Sequence, residues 1–374
     1  MKKIQLLLAA CAVIAAAACN KEKTAVPVRD GDAAEITVSL SGDALSKAVY
    51  NDALAGNEIK VNSLQVLVFN GGVIDAYGND YKVLPDGNFA NKYGVRLTAT
   101  RGQRKIYAVV NAAADLSGVA TETELLTKIS YLKNNSIGGF EMIGSTETEL
   151  VAQNFIDVPV FRFVTRIKID KITNRFTNTT LGDEVYLRRM YVTNLGGDAD
   201  YTKAPGSIQF ATTGFGSAIN AVGTTVNESE KSTLNSMIYE KIFTGTANTS
   251  NPGNGEGCIK IALNSSYTTP HSFYVYPNGN LETLPTHLVI EMVVNGNIYT
   301  YPLKLSTDST TSLESNKSYD IKELILTRVG NHSDGDDNID EGEDKPVEPA
   351  DADFIVTVEN WAVQLLGDDG EVRI

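Results

Sequence analysis

The sequence predicts a mainly all-β protein made of two tandem β-sandwich domains with short helices. Three observations carry this. Short β-branched or alternating apolar runs recur along nearly the whole chain, Gly/Asn/Pro turn signals separate them, and there is no strand–helix–strand rhythm.

The first residues are export signals rather than fold. Lys2 and Lys3 form a basic start, and Ile4 to Ala18 is an almost unbroken apolar run. Such a run is too short to cross a bilayer, which takes about 20 residues, but it suits a secretory signal peptide. Ala16, Ala17 and Ala18 before Cys19 form a lipobox-like sequence, which makes Cys19 the candidate lipidated residue. Leu8-Ala9-Ala10-Cys11 matches a lipobox more literally but leaves a shorter apolar core, so Cys19 is favoured; a plain signal peptide cut nearby is the alternative. Cleavage before Cys19 leaves Cys258 without a partner in the chain, so the fold must rest on its apolar core and not on disulfides.

Residues 20–34 read as a polar tether. Strands are then expected at Glu35–Leu40, Val61–Phe69, Lys105–Asn111, a long stretch Phe155–Ile169, Val185–Thr193, Cys258–Leu263, Ser272–Tyr276, His287–Val294, Ile298–Leu305 and Tyr319–Arg328. Val61–Phe69 carries apolar residues on both parities, as a strand buried on both faces does. Turns are expected at Asn70-Gly71-Gly72, Pro85-Asp86-Gly87, Leu195-Gly196-Gly197, Pro277-Asn278-Gly279 and Asn295-Gly296. Short helices are expected near Thr121–Tyr131 and Glu228–Ile238. One core rarely serves more than about 250 residues, so the chain divides near Asp157. The expected organisation is a signal peptide (1–18), a tether with the first strand (19–47), a first sandwich (48–157) and a second sandwich (158–332). An acidic linker (333–352) and a terminal strand segment (353–374) follow. The linker carries seven acidic residues between Asp334 and Asp344, then Pro346 and Pro349, and cannot pack.

Composition and motifs exclude several functions. A net charge of −14 argues against nucleic acid and against adhesion to anionic lipid, so any membrane attachment comes through the lipid anchor. His271, His287 and His332 have no metal-ligand spacing and read as satisfied core or surface histidines. Asp336, Asn338 and Asp340 mimic the start of an EF-hand, but Glu341 stands where Gly is needed and Val347 where a bidentate Glu is needed. No nucleophile elbow, phosphate loop or dinucleotide fingerprint is present. The expectation is a non-enzyme with no catalytic residue, cofactor or metal.

Several segments in order resemble the FimA-type fimbrillins of Bacteroidales, the subunits of type V pili. They are Ile59-Lys-Val-Asn-Ser-Leu-Gln-Val-Leu-Val-Phe-Asn-Gly, Ile106-Tyr-Ala-Val-Val-Asn-Ala, Phe140-Glu-Met-Ile-Gly, Val164-Thr-Arg-Ile-Lys-Ile, Phe273-Tyr-Val-Tyr-Pro-Asn, Thr286-His-Leu-Val-Ile, Asn316-Lys-Ser-Tyr-Asp-Ile and Val356-Thr-Val-Glu-Asn-Trp. The resemblance implies transthyretin-like, Greek-key sandwiches, export as an outer-membrane lipoprotein and later residence in an extracellular fimbrium. It also implies a maturation protease that removes the first strand, and polymerisation when a neighbour's C-terminal segment fills the groove left behind.

On this scheme Glu35–Leu40 is the removable strand, and the cut falls between Lys47 and Ala48; the family commonly has Arg at that place. The donor is Phe354 to Leu366. Phe354, Val356 and Val358 share one parity, while Trp361, Val363 and Leu365 take the other, which suggests a bulge or bend near Glu359-Asn360. Burying these six side chains is worth on the order of 9–18 kcal/mol before ordering costs. The alternative is that the segment folds back as an edge strand of its own domain. A donor-like tail favours a stalk subunit whose partners are copies of itself, other pilus subunits and a host or bacterial surface ligand. The alternatives are a tip or anchor pilin, or a monomeric surface lipoprotein that binds glycan or host protein.

Overall fold

The computed structural model describes residues 32–41, 58, 60–84, 92–193, 195–203, 237–243, 257–277, 286–305, 313–332 and 352–360. Strands dominate them. In chain order the first are β1 (Ala33–Ser41), β2 (Leu64–Asn70), β3 (Val73–Gly78), β4 (Lys82–Leu84), β5 (Lys92–Thr100), β6 (Gly102–Val110), β7 (Ile129–Tyr131), β8 (Met142–Leu150), β9 (Gln153–Pro159) and β10 (Phe161–Arg162). After them come β11 (Thr165–Ile169), β12 (Ile172–Asn174), β13 (Val185–Thr193), β14 (Asp198–Asp200), β15 (Tyr239–Lys241), β16 (Ile259–Lys260) and β17 (Ser266–Tyr267). The last are β18 (His271–Val275), β19 (His287–Val294), β20 (Asn297–Lys304), β21 (Lys317–Leu326), β22 (Asn331–His332) and β23 (Ala352–Asn360). Short helices among the described residues include α1 (Glu122–Leu126) and α2 (Thr179–Gly182), with a 3-10 turn at Leu132–Asn134. Thr121 caps α1 by accepting a hydrogen bond from the Glu124 amide.

The strands form two sandwiches, as the alternation predicts. The first stacks β4-β5-β1-β9 on β10-β8-β6-β2-β3. The second stacks β17-β12-β21-β11-β18 on β15-β13-β19-β20-β22, with β23 added to β21. The last strand of the first sandwich ends at Arg162 and the first strand of the second begins at Thr165. The long stretch expected over Phe155–Ile169 is therefore three strands; Pro159 ends β9, and the chain changes sheet twice.

Most pairings are antiparallel, but three are parallel: β1 with β9, and β11 and β12 with β21. Both sandwiches obey one rule. The opening strand lies between an antiparallel partner and a parallel strand from late in the same sandwich: β1 between β5 and β9, β11 between β18 and β21.

Packing follows from strand parity. On β2, Leu64, Val66 and Val68 face the core between the two sheets of the first sandwich, where Ile36, Val38, Leu40 and Val158 also lie. Leu67 and Phe69 point the other way, into a second cluster shared with Leu125, Phe140, Phe163 and the core of the second sandwich. The both-face burial expected for this strand is thus what joins the two halves. β7 pairs with β14 across the same junction, and a buried polar network completes it. Tyr201 donates to Glu141 Oε1 at 2.5 Å, Ser130 donates to Oε2, and Asn135 Nδ2 donates to the Tyr276 hydroxyl at 2.8 Å. Burial raises the Glu141 carboxyl above its ordinary value, with the two hydroxyl donors opposing.

In the second sandwich β13 and β19 are buried along nearly their whole length. A bulge between Leu187 and Arg189 brings both Arg188 and Arg189 onto the buried Glu291 carboxylate; Arg189 Nε donates to it at 2.7 Å. The Asn295-Gly296 turn joins β19 to β20 with positive φ at both residues (48° and 81°), the geometry of a two-residue hairpin turn.

Gly144 on β8 sits against the end of β9, and a Cβ there would lie 1.7 Å from the Pro159 carbonyl oxygen. Gly144→Ala is expected to lower stability by about 2–3 kcal/mol through overpacking, measured as a drop in denaturation midpoint of the whole chain.

Candidate functional site

The site is the slot that β1 occupies. β1 pairs with β5 from Ala33↔Thr100 to Ser39↔Gly94, and with β9 from Glu35↔Gln153 to Ser41↔Pro159. Its backbone is thus hydrogen-bonded on both edges although it is the first strand of the fold. Ala34, Ile36, Val38 and Leu40 point inward and are at most 2% exposed. Glu35, Thr37 and Ser39 take the opposite face, where the Ser39 hydroxyl donates to Asp157 Oδ1.

The two ends of the slot are built differently. At its start, the Arg101 amide donates to the Asp32 carbonyl at 3.1 Å and Arg101 Nε donates to the Ala33 carbonyl at 3.2 Å. The Arg101 guanidinium also lies 3.6 Å from the Asp32 carboxylate. Arg101 occupies the β5–β6 turn. That turn is held by a buried pair in which Arg104 Nε and the Thr100 amide each donate to Asp75 Oδ2 at 2.9 Å. Asn154 Nδ2 donates to the Glu35 carbonyl at 3.1 Å from the β9 side.

Past the far end of the slot the described chain resumes at Glu58, which is 2% exposed. Glu58 belongs electrostatically to the second sandwich. Its carboxylate lies 3.3 Å from Arg166 Nη1 and accepts from the Tyr274 hydroxyl, and its carbonyl accepts from Arg162 Nε at 3.1 Å. Arg166 Nε in turn donates to Ser318 Oγ at 2.9 Å. The segment 42–57 is therefore flanked by the slot on one side and an anchor in the other sandwich on the other.

On the outer face of the sheet a shallow concavity is lined by Glu35, Thr37, Arg96, Thr98, Gln153 and Phe155. Phe155 is 47% exposed there.

The residues singled out from sequence fall as follows. Glu35–Leu40 lie in β1. Phe354, Val356 and Val358 lie in β23, opposite Leu324, Ile321 and Tyr319 of β21, so in this structure the segment is an edge strand of its own chain. Cys19, Lys47, Ala48, Trp361, Val363 and Leu365 lie outside the described residues. Pattern reading did not find β5, whose Gly94 and Arg96 break the apolar run, nor Arg101 and Glu58, whose partners are remote in sequence.

One expectation about the histidines is corrected. His287 is fully buried on β19, and neither ring nitrogen has a hydrogen-bond partner among the described residues. Every position of β19 is enclosed, so a polar ring there is sealed in by the strand's neighbours. His271 Nε2 does meet the Tyr267 hydroxyl, at 2.8 Å. Cys258 is a free thiol whose pKa burial pushes up to about 11. Among the described residues no group of three acidic, His or Cys side chains is placed to hold a metal.

The fold and the slot define a tandem β-sandwich protein with its terminal strand built into the middle of a sheet. Comparison with known proteins agrees. A family described as "Major fimbrial subunit protein (FimA)" matches residues 34–210. The type-2 FimA major fimbrium subunit of Porphyromonas gingivalis is 31% identical over 157 residues, which are 41% of this chain and 38% of that relative's length. A fimbrillin (FimA) structure from Porphyromonas gingivalis W83 superposes with a TM-score of 0.52 at 15% identity, covering 88% of this chain and 98% of that one. A candidate cell adhesion protein from Parabacteroides distasonis superposes with a TM-score of 0.55 at 16% identity, covering 88% and 99%. At these identities the structures establish the shared fold. The match to the FimA family covers residues 34–210, which span the first sandwich and its slot.

Two outcomes follow from this geometry. Glu58→Ala removes one of the two carboxylates beside buried Arg166, Asp320 remaining at 3.9 Å, and is expected to cost about 2–4 kcal/mol of stability in denaturant unfolding, with Glu58→Gln costing less. His287 is held neutral by burial, which lowers its pKa from 6.5 to about 4, with Lys304 a lesser cause. Its folded pKa is below its unfolded one, so the unfolded chain takes the proton first. Stability is therefore lost as pH falls from about 6.5 to about 4, by up to about 3 kcal/mol. His287→Leu should flatten the unfolding midpoint across that window.

Proposed function

We propose that this chain is a structural stalk subunit of a cell-surface fimbria, exported as a lipoprotein through Cys19 and assembled by strand exchange. Proteolysis between Lys47 and Ala48 frees β1, and the C-terminal strand of a neighbouring copy, with its donor segment Phe354 to Leu366, enters the vacated slot.

The observation that carries this reading is a position-by-position match between β1 and β23. Residues 34–41 read Ala-Glu-Ile-Thr-Val-Ser-Leu-Ser, and residues 352–359 read Ala-Asp-Phe-Ile-Val-Thr-Val-Glu. The inward set Ala34, Ile36, Val38 and Leu40 corresponds to Ala352, Phe354, Val356 and Val358. Ile36 is replaced by the larger Phe354 and Leu40 by the smaller Val358, so the apolar volume offered to the core is nearly conserved. On the outer face Glu35 keeps its charge as Asp353 and Ser39 keeps its hydroxyl as Thr357.

Energetics explain why a cut is needed. The three large inward side chains of β1 contribute about 1.5–3 kcal/mol each, and both edges of the slot present ladder hydrogen bonds. An empty slot is a severe liability, so β1 leaves only when its covalent link is severed and a substitute of equal quality is at hand. In this chain β23 lies on one edge of β21 and, among the described residues, receives ladder bonds from one side only. Moving to a slot flanked by two strands gains a second ladder. The 19 residues 333–351 between β22 and β23 span up to about 63–68 Å when extended, enough to reach a neighbour.

The test is limited trypsin digestion of the chain from Asn20 onward, with sequencing of the new N-terminus and electron microscopy. A cut after Lys47 followed by filaments that disappear on deletion of 353–374 is the expected result. A chain cut there that stays monomeric would sink the exchange reading and favour a surface-binding monomer.

A further inference from the structure

We infer that Phe155 is the residue by which the slot distinguishes the incoming strand from the resident β1, through direct cross-strand contact with Ile355 of a second copy. This rests on the strand-exchange reading.

Four outward positions of the two strands can be compared. Two keep their chemistry, Glu35 with Asp353 and Ser39 with Thr357; the last, Ser41 with Glu359, stays polar and gains a charge where β1 ends opposite Pro159. The change from polar to apolar is at Thr37, which corresponds to Ile355. Thr37 is the register partner of Phe155 on β9 and of Arg96 on β5. It forms part of the wall of the outer concavity, and Phe155 is the exposed large apolar side chain of that concavity. The concavity gives room for a side chain larger than Thr at this position. An incoming strand in the β1 register therefore sets Ile355 directly opposite Phe155 and fills space that Thr37 leaves open. Thr and Ile are both β-branched and both favour strands. Exchange at this position thus changes the contact and leaves backbone preference nearly unaltered.

The occupant is fixed by the match. Residues 352–359 alternate in phase with residues 34–41 at all four inward positions, and a shift of one residue would turn Phe354 and Val356 outward. An aromatic opposite a β-branched residue is a favourable cross-strand pair. The contact belongs to the assembled state and is absent from the precursor, which biases exchange forward.

The uncut full chain tests the contact without any exchange. Thr37→Ile, Phe155→Ala and the double variant form a cycle read by denaturant unfolding. Thr37→Ile is expected to raise the folding equilibrium constant about 2- to 5-fold with Phe155 present, and to lose that gain with Phe155→Ala. The same cycle run on the protease-cut full chain, with Ile355→Thr in place of Thr37→Ile, reads filament growth. Each single variant is expected to slow growth about 2- to 5-fold, with the double no slower than either single. If either cycle shows independent, multiplicative effects, the Phe155–Ile355 pairing is overturned while strand exchange stands. If the cut wild-type chain forms no filaments, the exchange reading falls and the inference falls with it.

Discussion

The position of one strand governs the rest of this molecule. β1 is the first element among the described residues, yet it lies inside a sheet, with β5 hydrogen-bonded to one edge and β9 to the other. A strand in that position supplies two ladders and one face of the core. Everything around it is arranged to receive an alternating apolar strand: Val66 and Val68 from the opposite sheet, Val95 and Ala99 from β5, Ile156 and Val158 from β9. The slot specifies a pattern, and any segment with that pattern in the right register satisfies it. Covalent continuity is what gives β1 its claim.

The second sandwich sharpens this point because it has the same topology. Its opening strand β11 also lies between an antiparallel neighbour and a parallel one, β18 and β21. But β11 is preceded by the whole first sandwich and followed by β12 on the same edge of β21, so it cannot be withdrawn without dismantling the chain. Among the described residues, the first sandwich has its central opening strand at the start and the second does not. Glu58 anchors the chain that follows: its carboxylate is tied to Arg166 and Tyr274 of the second sandwich, independently of the β1 pairings.

How far this could be read from sequence follows from the range of the forces involved. Strands whose signal is local were legible. β13 and β19 have the expected bounds, Val185–Thr193 and His287–Val294, because both are nearly continuous apolar runs between turn residues. β8 was not legible: Gly144, Ser145, Thr146, Glu147, Thr148 and Glu149 give it a polar face and little apolar pattern, although it pairs with β6 along nine residues. The slot was legible only in half. β1 announces itself by alternation, but its neighbours are β5, about 60 residues away along the chain, and β9, about 120 residues away. Charge pairs such as Asp75–Arg104 and Glu58–Arg166 leave no local trace either, since each charge taken alone reads as a solvated side chain.

A tail that matches the slot could in principle satisfy a different site, the outer edge of β9, which carries no strand among the described residues. Its own chain shows the analogous placement: β23 sits on the outer edge of β21, the strand that plays the part of β9 in the second sandwich. Edge addition gives one ladder and leaves the inward face of the added strand at the rim of the sandwich. The slot gives two ladders and a floor already shaped by Val66, Val68 and Val158 for residues of the size of Ile36 and Val38. The tail's even-numbered residues repeat the inward set of β1 and its odd-numbered residues repeat the outward set at two of four positions. An edge strand has no need of that two-sided agreement, because one of its faces is unconstrained. Agreement at four inward and two outward positions is what supports the proposed exchange of this segment for β1.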